Sequence, residues 1–573
     1  MLLLKYEKCE LLGETMTYYN VTMKLNEKVP MRDGVNLSAD VYIPQATGTF
    51  PTVLMRTPYD NNVDRLIDKA ISLVNQGYVC VLQDVRGRHD SDGDYYPFIN
   101  EAEDGYDTQE WIGNQAWSNG KIGMSGSSYG GWVQWQSALK GSKYLTCIAP
   151  QVMCGDLYSG LVYPGGAMFL NVVMTWGMRT NGRTGQSIEY HNWTEAFRSL
   201  PLTKMDELAG RNLPFWKDWL NNSSYNEYWS KTNHEDRFSD ISVPALNMSG
   251  WFDLYSETAF TNFNGLISNG STDDTKKSQL IVGPWPHQLS ASTKVGDVDF
   301  GAESMLDLNA LELKWFDYWM KGINNGIIDE SPIKLFIMGV NEWRNETEWP
   351  LARTKWEKWY LHSKGNANTV EGDGKLSIDQ QTDEMSDEFN YNPEFPVQTI
   401  GGNNCCSPNI VPWGPYDQRP VEMRPDVLCY TSDALETDVE VTGPIKLILY
   451  ASTDGLDTDW TAKLVDVSET GYAMNLCDGI IRARFREGFE EPSLLAPNKI
   501  YRYEINVGVT GTVFKKGHKI RLEISSSNFP RYDRNPNTGR EISTETELRT
   551  AHQTVTHNRD YPSHIVLPII PQS

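Results

Sequence analysis

Residues 121–136 read KIGMSGSSYGGWVQWQ and restrict this chain more than any other stretch. An apolar, β-capable run at 122–124 enters a glycine-rich tight turn, and apolar residues at helical spacing (Trp132, Val133, Trp135, Ala138, Leu139) leave it. Strand, sharp turn and helix in that order is the setting of a nucleophile elbow, where a strained turn holds a serine hydroxyl clear of the backbone. The pattern Gly-x-Ser-x-Gly fits only as Gly126-Ser127-Ser128-Tyr129-Gly130, because centring it on Ser127 would need glycine at Ser125. Ser128 is therefore the candidate nucleophile, with Gly126, Gly130 and Gly131 leaving room for helix and strand to approach. A Ser/Gly loop without any chemistry satisfies the same letters, so the motif needs partners elsewhere.

The chain on either side predicts a mostly parallel sheet. Residues 22–42 mix polar and apolar positions around the turn Arg32-Asp33-Gly34, a hairpin signature. Strand-like runs at 52–55 and 78–83 alternate with helical patterns at 65–75 and 101–114 before the elbow strand begins. Strand, helix, strand, helix, strand at this spacing argues for helices on both faces of the sheet. From about 148 to 240 the β signal gives way to aromatic-rich helical text; strand-like runs return at 244–249 and 279–282, followed by a helix at 306–321 and a last apolar strand at 332–339. The middle stretch therefore reads as an insert. Beyond about 354, strict alternation dominates, as at 501–507 and 519–524, with similar segments at 445–451, 461–467 and 564–570. One buried and one wet face per strand points to an antiparallel sandwich of jelly-roll type. The predicted division is an α/β catalytic domain at 1–146 and 241–353, a helical insert at 147–240 and a β domain at 354–573.

A length of 573 residues exceeds what one core organises, in keeping with that division. The formal charge of -24 argues against nucleic acid or an anionic membrane as partner and leaves homo-oligomerisation open. The first ten residues lack the apolar run of an export signal, so a cytoplasmic location is expected. An uncharged run at 157–178 is long enough to span a bilayer, but Pro164-Gly165-Gly166 interrupts it and Asn171 sits inside, which favours a buried helix beginning after Gly166. Nineteen Trp and 28 Tyr permit an aromatic-lined cleft. Eight cysteines show no Cys-x-x-Cys spacing, and the adjacent pair Cys405-Cys406 is too close for an ordinary structural bridge, so reduced, mostly buried thiols are expected. Nine histidines offer no zinc-binding spacing; neither metal nor cofactor is implied.

A serine hydroxyl needs an adjacent base, usually a histidine oriented by a carboxylate. In sheets built around this elbow, the acid and then the histidine follow the serine along the chain, each on a loop after a strand. Asp253 follows the run 246–252 and His287 follows 280–286; His287 alone among the histidines falls at a late strand end of the sheet. An oxyanion hole needs two donors. One is the backbone N–H of Tyr129, and for the second the loop Arg56-Thr57-Pro58-Tyr59-Asp60 offers no bare glycine amide. Tyr59 could offer its phenol or simply pack beside Pro58.

Over most of its length the chain resembles the cocaine-esterase-like (CocE/NonD) hydrolases, relatives of Xaa-Pro dipeptidyl-peptidases, α-amino-acid ester hydrolases and glutaryl-cephalosporin acylases. The resemblance runs through PMRDGVNLSADVY, RTPYD, DVRGR, GSSYGG, GWFD, GPWPH, MGVNEWR and FPRYDRNPNTG, in one order. It implies an α/β-hydrolase fold with an inserted helical cap and a C-terminal jelly roll, a triad of Ser128, Asp253 and His287, and an oxyanion hole of the Tyr59 hydroxyl and the Tyr129 amide. Where α-amino-acid ester hydrolases carry part of a carboxylate cluster for the substrate ammonium, this chain has Leu254, Tyr255 and Ser256. A neutral or aromatic acyl group is then expected, with Trp176 and Tyr255 as pocket walls. Arg86 and Arg88 read as structural ties. The expected partner is a small-molecule ester or amide substrate; beside the esterase reading, amide or cephalosporin side-chain acylase, Xaa-Pro dipeptidyl-peptidase and an inert carbohydrate-binding protein are the competing readings.

Overall fold

The computed structural model describes residues 18–380 and 382–571; the N-terminal stretch read for an export signal lies outside them. Strands β1 (Val21–Pro30) and β2 (Asn36–Pro44) pair antiparallel around the expected turn. They are followed by β3 (Phe50–Thr57), α1 (Asp64–Asn75), β4 (Val79–Asp84), α2 (Glu101–Gly113), β5 (Ser118–Ser127), α3 (Tyr129–Ala138) and β6 (Leu145–Gln151). The insert contributes short helices, of which α4 (Leu170–Thr180) and α5 (Pro214–Asn221) are the longest. The chain then re-enters the sheet with β7 (Leu246–Gly250), α6 (Ser256–Asn269), β8 (Gln279–Gly283), α7 (Leu308–Phe316), β9 (Ile333–Ile337) and β10 (Glu342–Glu346).

These strands form one ten-stranded sheet in the order β1-β2-β4-β3-β5-β6-β7-β8-β9-β10, parallel from β4 to β9. In such a sheet the loops after the strand C-termini gather along one edge, where sites form. β6 crosses the boundary predicted at 146/147. It is a central strand, nearly all of it buried; such strands read as short apolar runs without alternation, the pattern hardest to tell from a helix fragment. Helix α4 begins after Gly166, as its sequence predicts, and among the described residues no helix is long and apolar enough to cross a membrane.

Residues 355–570 carry a second, eleven-stranded sheet whose long strand Val439–Thr453 pairs antiparallel with Tyr501–Phe514. Along 501–507 the expected alternation holds: Tyr503, Ile505 and Val507 are buried while Arg502, Glu504 and Asn506 are exposed. At 519–524 it does not, because Arg521 and Glu523 are buried too, held by Glu422 at 2.6 Å and Lys463 at 2.9 Å. A charged letter marks a wet face only where no counter-ion covers it. The two sheets meet where Met338, just after β9, exchanges backbone hydrogen bonds with Gly511 and Val513. Trp251, Phe252 and Phe260 share one apolar cluster with Val441, Leu447 and Trp460, so the β unit packs directly against the loop that carries Asp253.

Packing of the insert on α3 has a consequence for acid stability. His234 stacks on Trp135 with ring centroids 5.0 Å apart, and its Nε2 lies 3.0 Å from Asn262 Oδ1 while buried Nδ1 has no partner. A carbonyl oxygen accepts, so Nε2 carries the single proton of the neutral ring. A second proton would place an uncompensated charge among aromatics, and burial pushes the pKa down to about 4. The unfolded chain takes up that proton near pH ~6.5. Stability from this site is therefore complete above that pH and is lost as pH falls toward the folded value, by ~3 kcal/mol in all. Urea melts at neutral pH and at pH ~4 should show a fall in the wild type that His234→Phe shows to a smaller extent; equal falls would remove His234 from the account.

Candidate active site

Ser128 stands between β5 and α3 with φ 59° and ψ -124°. Ser127 ends the strand, so the strained residue is the one in the Gly-x-Ser-x-Gly frame. The strain costs on the order of 1–3 kcal/mol and persists because the surroundings allow no alternative. A side chain at Gly131 would meet the Gln151 carbonyl at 2.8 Å, and one at Gly126, with φ +146°, would meet Gly130 at 3.1 Å. Gly130 differs from expectation: its added Cβ would touch only the Arg56 carbonyl, at an ordinary 3.6 Å. Two glycines, not three, make the room.

Asp253 lies just after β7 and is fully buried. Its Oδ1 is 2.7 Å from His287 Nδ1, while Oδ2 accepts from the Tyr255 N–H at 3.2 Å and the Ser249 hydroxyl at 3.4 Å. A carboxylate only accepts, so Nδ1 carries the proton and Nε2 keeps its lone pair. His287 follows β8 on the run Gly283-Pro284-Trp285-Pro286, anchored by the Trp285 indole donating to the Ser304 carbonyl at 2.9 Å. The acid and histidine loops touch at Gly250, where any Cβ would lie 2.1 Å from the Trp285 carbonyl.

Tyr59 reaches the site on the loop after β3. The Trp176 indole N–H donates to its hydroxyl oxygen at 2.8 Å, and Ser128 is also within hydrogen-bonding reach of that hydroxyl. Burial pushes the Tyr59 pKa up, with the Trp176 and Ser128 hydrogen bonds working against the rise. A phenol that keeps its proton and accepts from Trp176 has its own O–H available to donate. The Tyr129 N–H belongs to the first turn of α3, whose donors an α-helix leaves without carbonyl partners and which sit at the positive end of its dipole. The Tyr129 ring is held away from that amide: its hydroxyl donates to Glu101 at 2.7 Å and accepts from the Phe98 N–H at 2.8 Å, and Glu101 pairs with buried Arg56 at 2.9 Å.

The pocket beside Ser128 is lined by both residues expected as walls, Trp176 and Tyr255. Phe98 stacks between Tyr129 and Trp176, at 4.7 and 5.2 Å, and continues that wall. Met153, Leu161 and Val173 complete it with no charged side chain. Arg88 ties the loop that carries Tyr59 to α4: its Nε donates to the Pro58 carbonyl at 2.7 Å and Nη1 to the Thr180 and Gly182 carbonyls. Arg86 pairs with Asp104 at 2.6 Å and Asp33 at 2.7 Å, so both arginines are the ties their positions suggested.

The remaining walls come from the β unit. Cys405 and Cys406 line the pocket, and they are joined in a disulfide, contrary to the reduced thiols expected. The rule that excludes neighbours concerns bridges between separate segments; here the sulfurs close a ring across one peptide, with Cys406 at φ +77°. The other described cysteines are free and buried, as expected. Asn403 fastens this loop to the acid loop, its Nδ2 donating to the carbonyls of Trp251 at 2.8 Å and Asp253 at 3.1 Å. Local pattern carries no sign of Asn403 or the pair beside the site, except that two adjacent cysteines are unusual.

Residues 33–289 match the X-Pro dipeptidyl-peptidase (S15 family) and residues 325–566 the X-Pro dipeptidyl-peptidase C-terminal non-catalytic domain. The chain thus combines an α/β-hydrolase-like fold with a separate C-terminal β-rich domain, and its relatives make it a serine hydrolase. The chain is 36% identical to the cocaine esterase of Rhodococcus sp. (strain MB1 Bresler), over 96% of its own length and 99% of that enzyme's. It belongs to the cocaine-esterase-like (CocE/NonD) hydrolase family. Two solved structures have the same fold end to end: an aminopeptidase from a marine sediment Thaumarchaeota archaeon (TM-score 0.83, 24% identity, 99% of each chain) and an α-amino acid ester hydrolase (TM-score 0.82, 24% identity, 98% of each chain).

Proposed function

We propose that this protein cleaves carboxylic esters with a neutral or aromatic acyl group through an acyl-enzyme on Ser128. His287 takes the serine proton at Nε2 and returns it to the leaving alcohol, and Asp253 holds the imidazole in the tautomer that permits this. The Tyr59 hydroxyl and the Tyr129 amide receive the oxyanion. The helical insert acts as a cap and the C-terminal unit, of jelly-roll type, supplies the Cys405-Cys406 wall; with β6 kept in the sheet, the proposed division is 1–151 with 241–353, 152–240 and 354–573. The observation that carries the substrate class is the uncharged lining of the pocket. A free α-ammonium would be desolvated there without a carboxylate, which disfavours dipeptidyl-peptidase and α-amino-acid ester substrates. An amide acylase uses the same groups and differs only in its poorer leaving group.

A panel of p-nitrophenyl esters, anilides and Xaa-Pro anilides tests the reading: turnover should favour acetyl or benzoyl esters, and preference for a free N-terminal dipeptide would overturn it. Within that panel Tyr59→Phe removes a hydrogen bond made mainly in the transition state, costing ~3 kcal/mol, or about 100- to 1,000-fold in kcat with KM little changed. A ring that merely packs beside Pro58 would tolerate the loss, so near-wild-type kcat assigns the second donor elsewhere.

A further inference from the structure

We infer that reduction of the Cys405–Cys406 disulfide creates a binding site for one soft divalent cation, Zn²⁺ or Cd²⁺, formed by the two Sγ atoms and His287, and that its occupation silences the hydrolase. One ligand atom from each of the three residues already lies within 4.8 Å of the others. A tetrahedral site with metal–sulfur bonds of ~2.3 Å and metal–nitrogen bonds of ~2.0 Å sets neighbouring ligands roughly 3.5–3.8 Å apart, so little rearrangement is needed once the sulfurs part. His287 presents Nε2, because Nδ1–H is donated to Asp253. A carboxylate behind a ligating histidine fixes its tautomer and raises its basicity.

The loop is braced independently of the bond between the sulfurs. The Cys406 carbonyl accepts from Arg179 at 2.9 Å, Asn403 holds the acid loop, and Asn404 Nδ2 donates to the Gly401 carbonyl at 3.0 Å. Cys405 is buried and Cys406 part-exposed, which gives a reductant one sulfur to attack. A dithiol reductant supplies two electrons and two protons and leaves as its own disulfide; the cation then displaces the two thiol protons as both thiolates bind. Soft cations select thiolates over the oxygens elsewhere on the surface. Competition from other described cysteines is weak, since burial pushes the thiols of Cys80, Cys147, Cys154, Cys429 and Cys477 up and away from the thiolate.

Inhibition rests on His287 being the general base; metal binding does not. The test reduces the full chain with a water-soluble phosphine, which ends as phosphine oxide, and titrates Cd²⁺ while following thiolate-to-metal absorption and p-nitrophenyl ester turnover. Reduced wild type should bind one Cd²⁺ per chain with that absorption and lose on the order of a hundredfold in activity or more, recovered on adding a chelator. The unreduced enzyme should show neither change. Each variant is compared with itself without cadmium: Cys405→Ser/Cys406→Ser should lose the absorption and the inhibition, and His287→Ala should keep the absorption at weaker affinity. Absence of thiolate absorption in reduced wild type, or inhibition of the double variant as strong as that of wild type, overturns the proposal. Stoichiometric absorption with activity intact would overturn only the inhibitory half, and retained activity in His287→Ala would then place the fault in the assignment of the base.

Discussion

Ser128→Ala should lower turnover by on the order of a millionfold and abolish covalent labelling by a fluorophosphonate, with the unfolding transition unmoved. Alanine keeps the backbone geometry at φ 59° and removes only the atom that attacks. No neighbour can replace it, since Ser127 ends β5 on the other side of the turn. Ser127→Ala should therefore stay within a fewfold of wild type, by the same reasoning that places catalysis in one positioned nucleophile and its base. Loss of labelling in Ser127→Ala with retention in Ser128→Ala would shift the elbow by one residue, and labelling of neither would leave the family fold without its serine chemistry.

Asp253→Asn should cost ~10⁴-fold in kcat with the fold retained. The reason is specific to the partners of this carboxylate. Oδ2 accepts from the Tyr255 N–H and Oδ1 from His287 Nδ1. An asparagine has one acceptor for these two donors. If its oxygen stays with the Tyr255 amide, its NH₂ faces Nδ1 and forces the histidine into the tautomer whose Nε2 is already protonated, unable to take the Ser128 proton. With the oxygen on His287 instead, the buried Tyr255 N–H is left opposite another donor, which carries a desolvation penalty of ~1–3 kcal/mol. Steady-state kinetics beside a thermal melt decide the matter: kcat within tenfold of wild type would mean that Asp253 does not set the tautomer.

The family was legible in the sequence from its run of matching motifs, and the α/β sheet and the three residues of the proposed triad from chain order. The elbow is a local pattern of about ten letters, and the acid and histidine must follow strands later in the same parallel sheet. Asp253 and His287 are the residues that satisfy both conditions, and the 2.7 Å contact between them joins two loops that sequence order alone could name. Elements whose pattern matches their environment were equally readable: the hairpin of β1 and β2, helices α1 and α2, and the alternating strand at 501–507. β6 was lost because burial of both faces erases the alternation that marks a strand. The strand at 519–524 misled for the opposite reason, since its alternating charges are buried in ion pairs with Glu422 and Lys463.

What the sequence by itself determined is therefore the local geometry at Ser128, the candidate acid and base, and the absence of a carboxylate just after Asp253. Tertiary structure alone decided what surrounds them. The Trp176 hydrogen bond to Tyr59, the Phe98 stack, Asn403 on the acid loop and the Cys405–Cys406 pair beside His287 all depend on how the helical insert and the β unit pack against the sheet edge. Local propensity acts over a few residues and is written in neighbouring letters, whereas contacts between separately folded layers depend on shape and burial, and no short pattern encodes them. The two cysteines show the difference: as letters they are a pair too close to bridge, and in the fold they are a bonded wall within reach of the His287 imidazole.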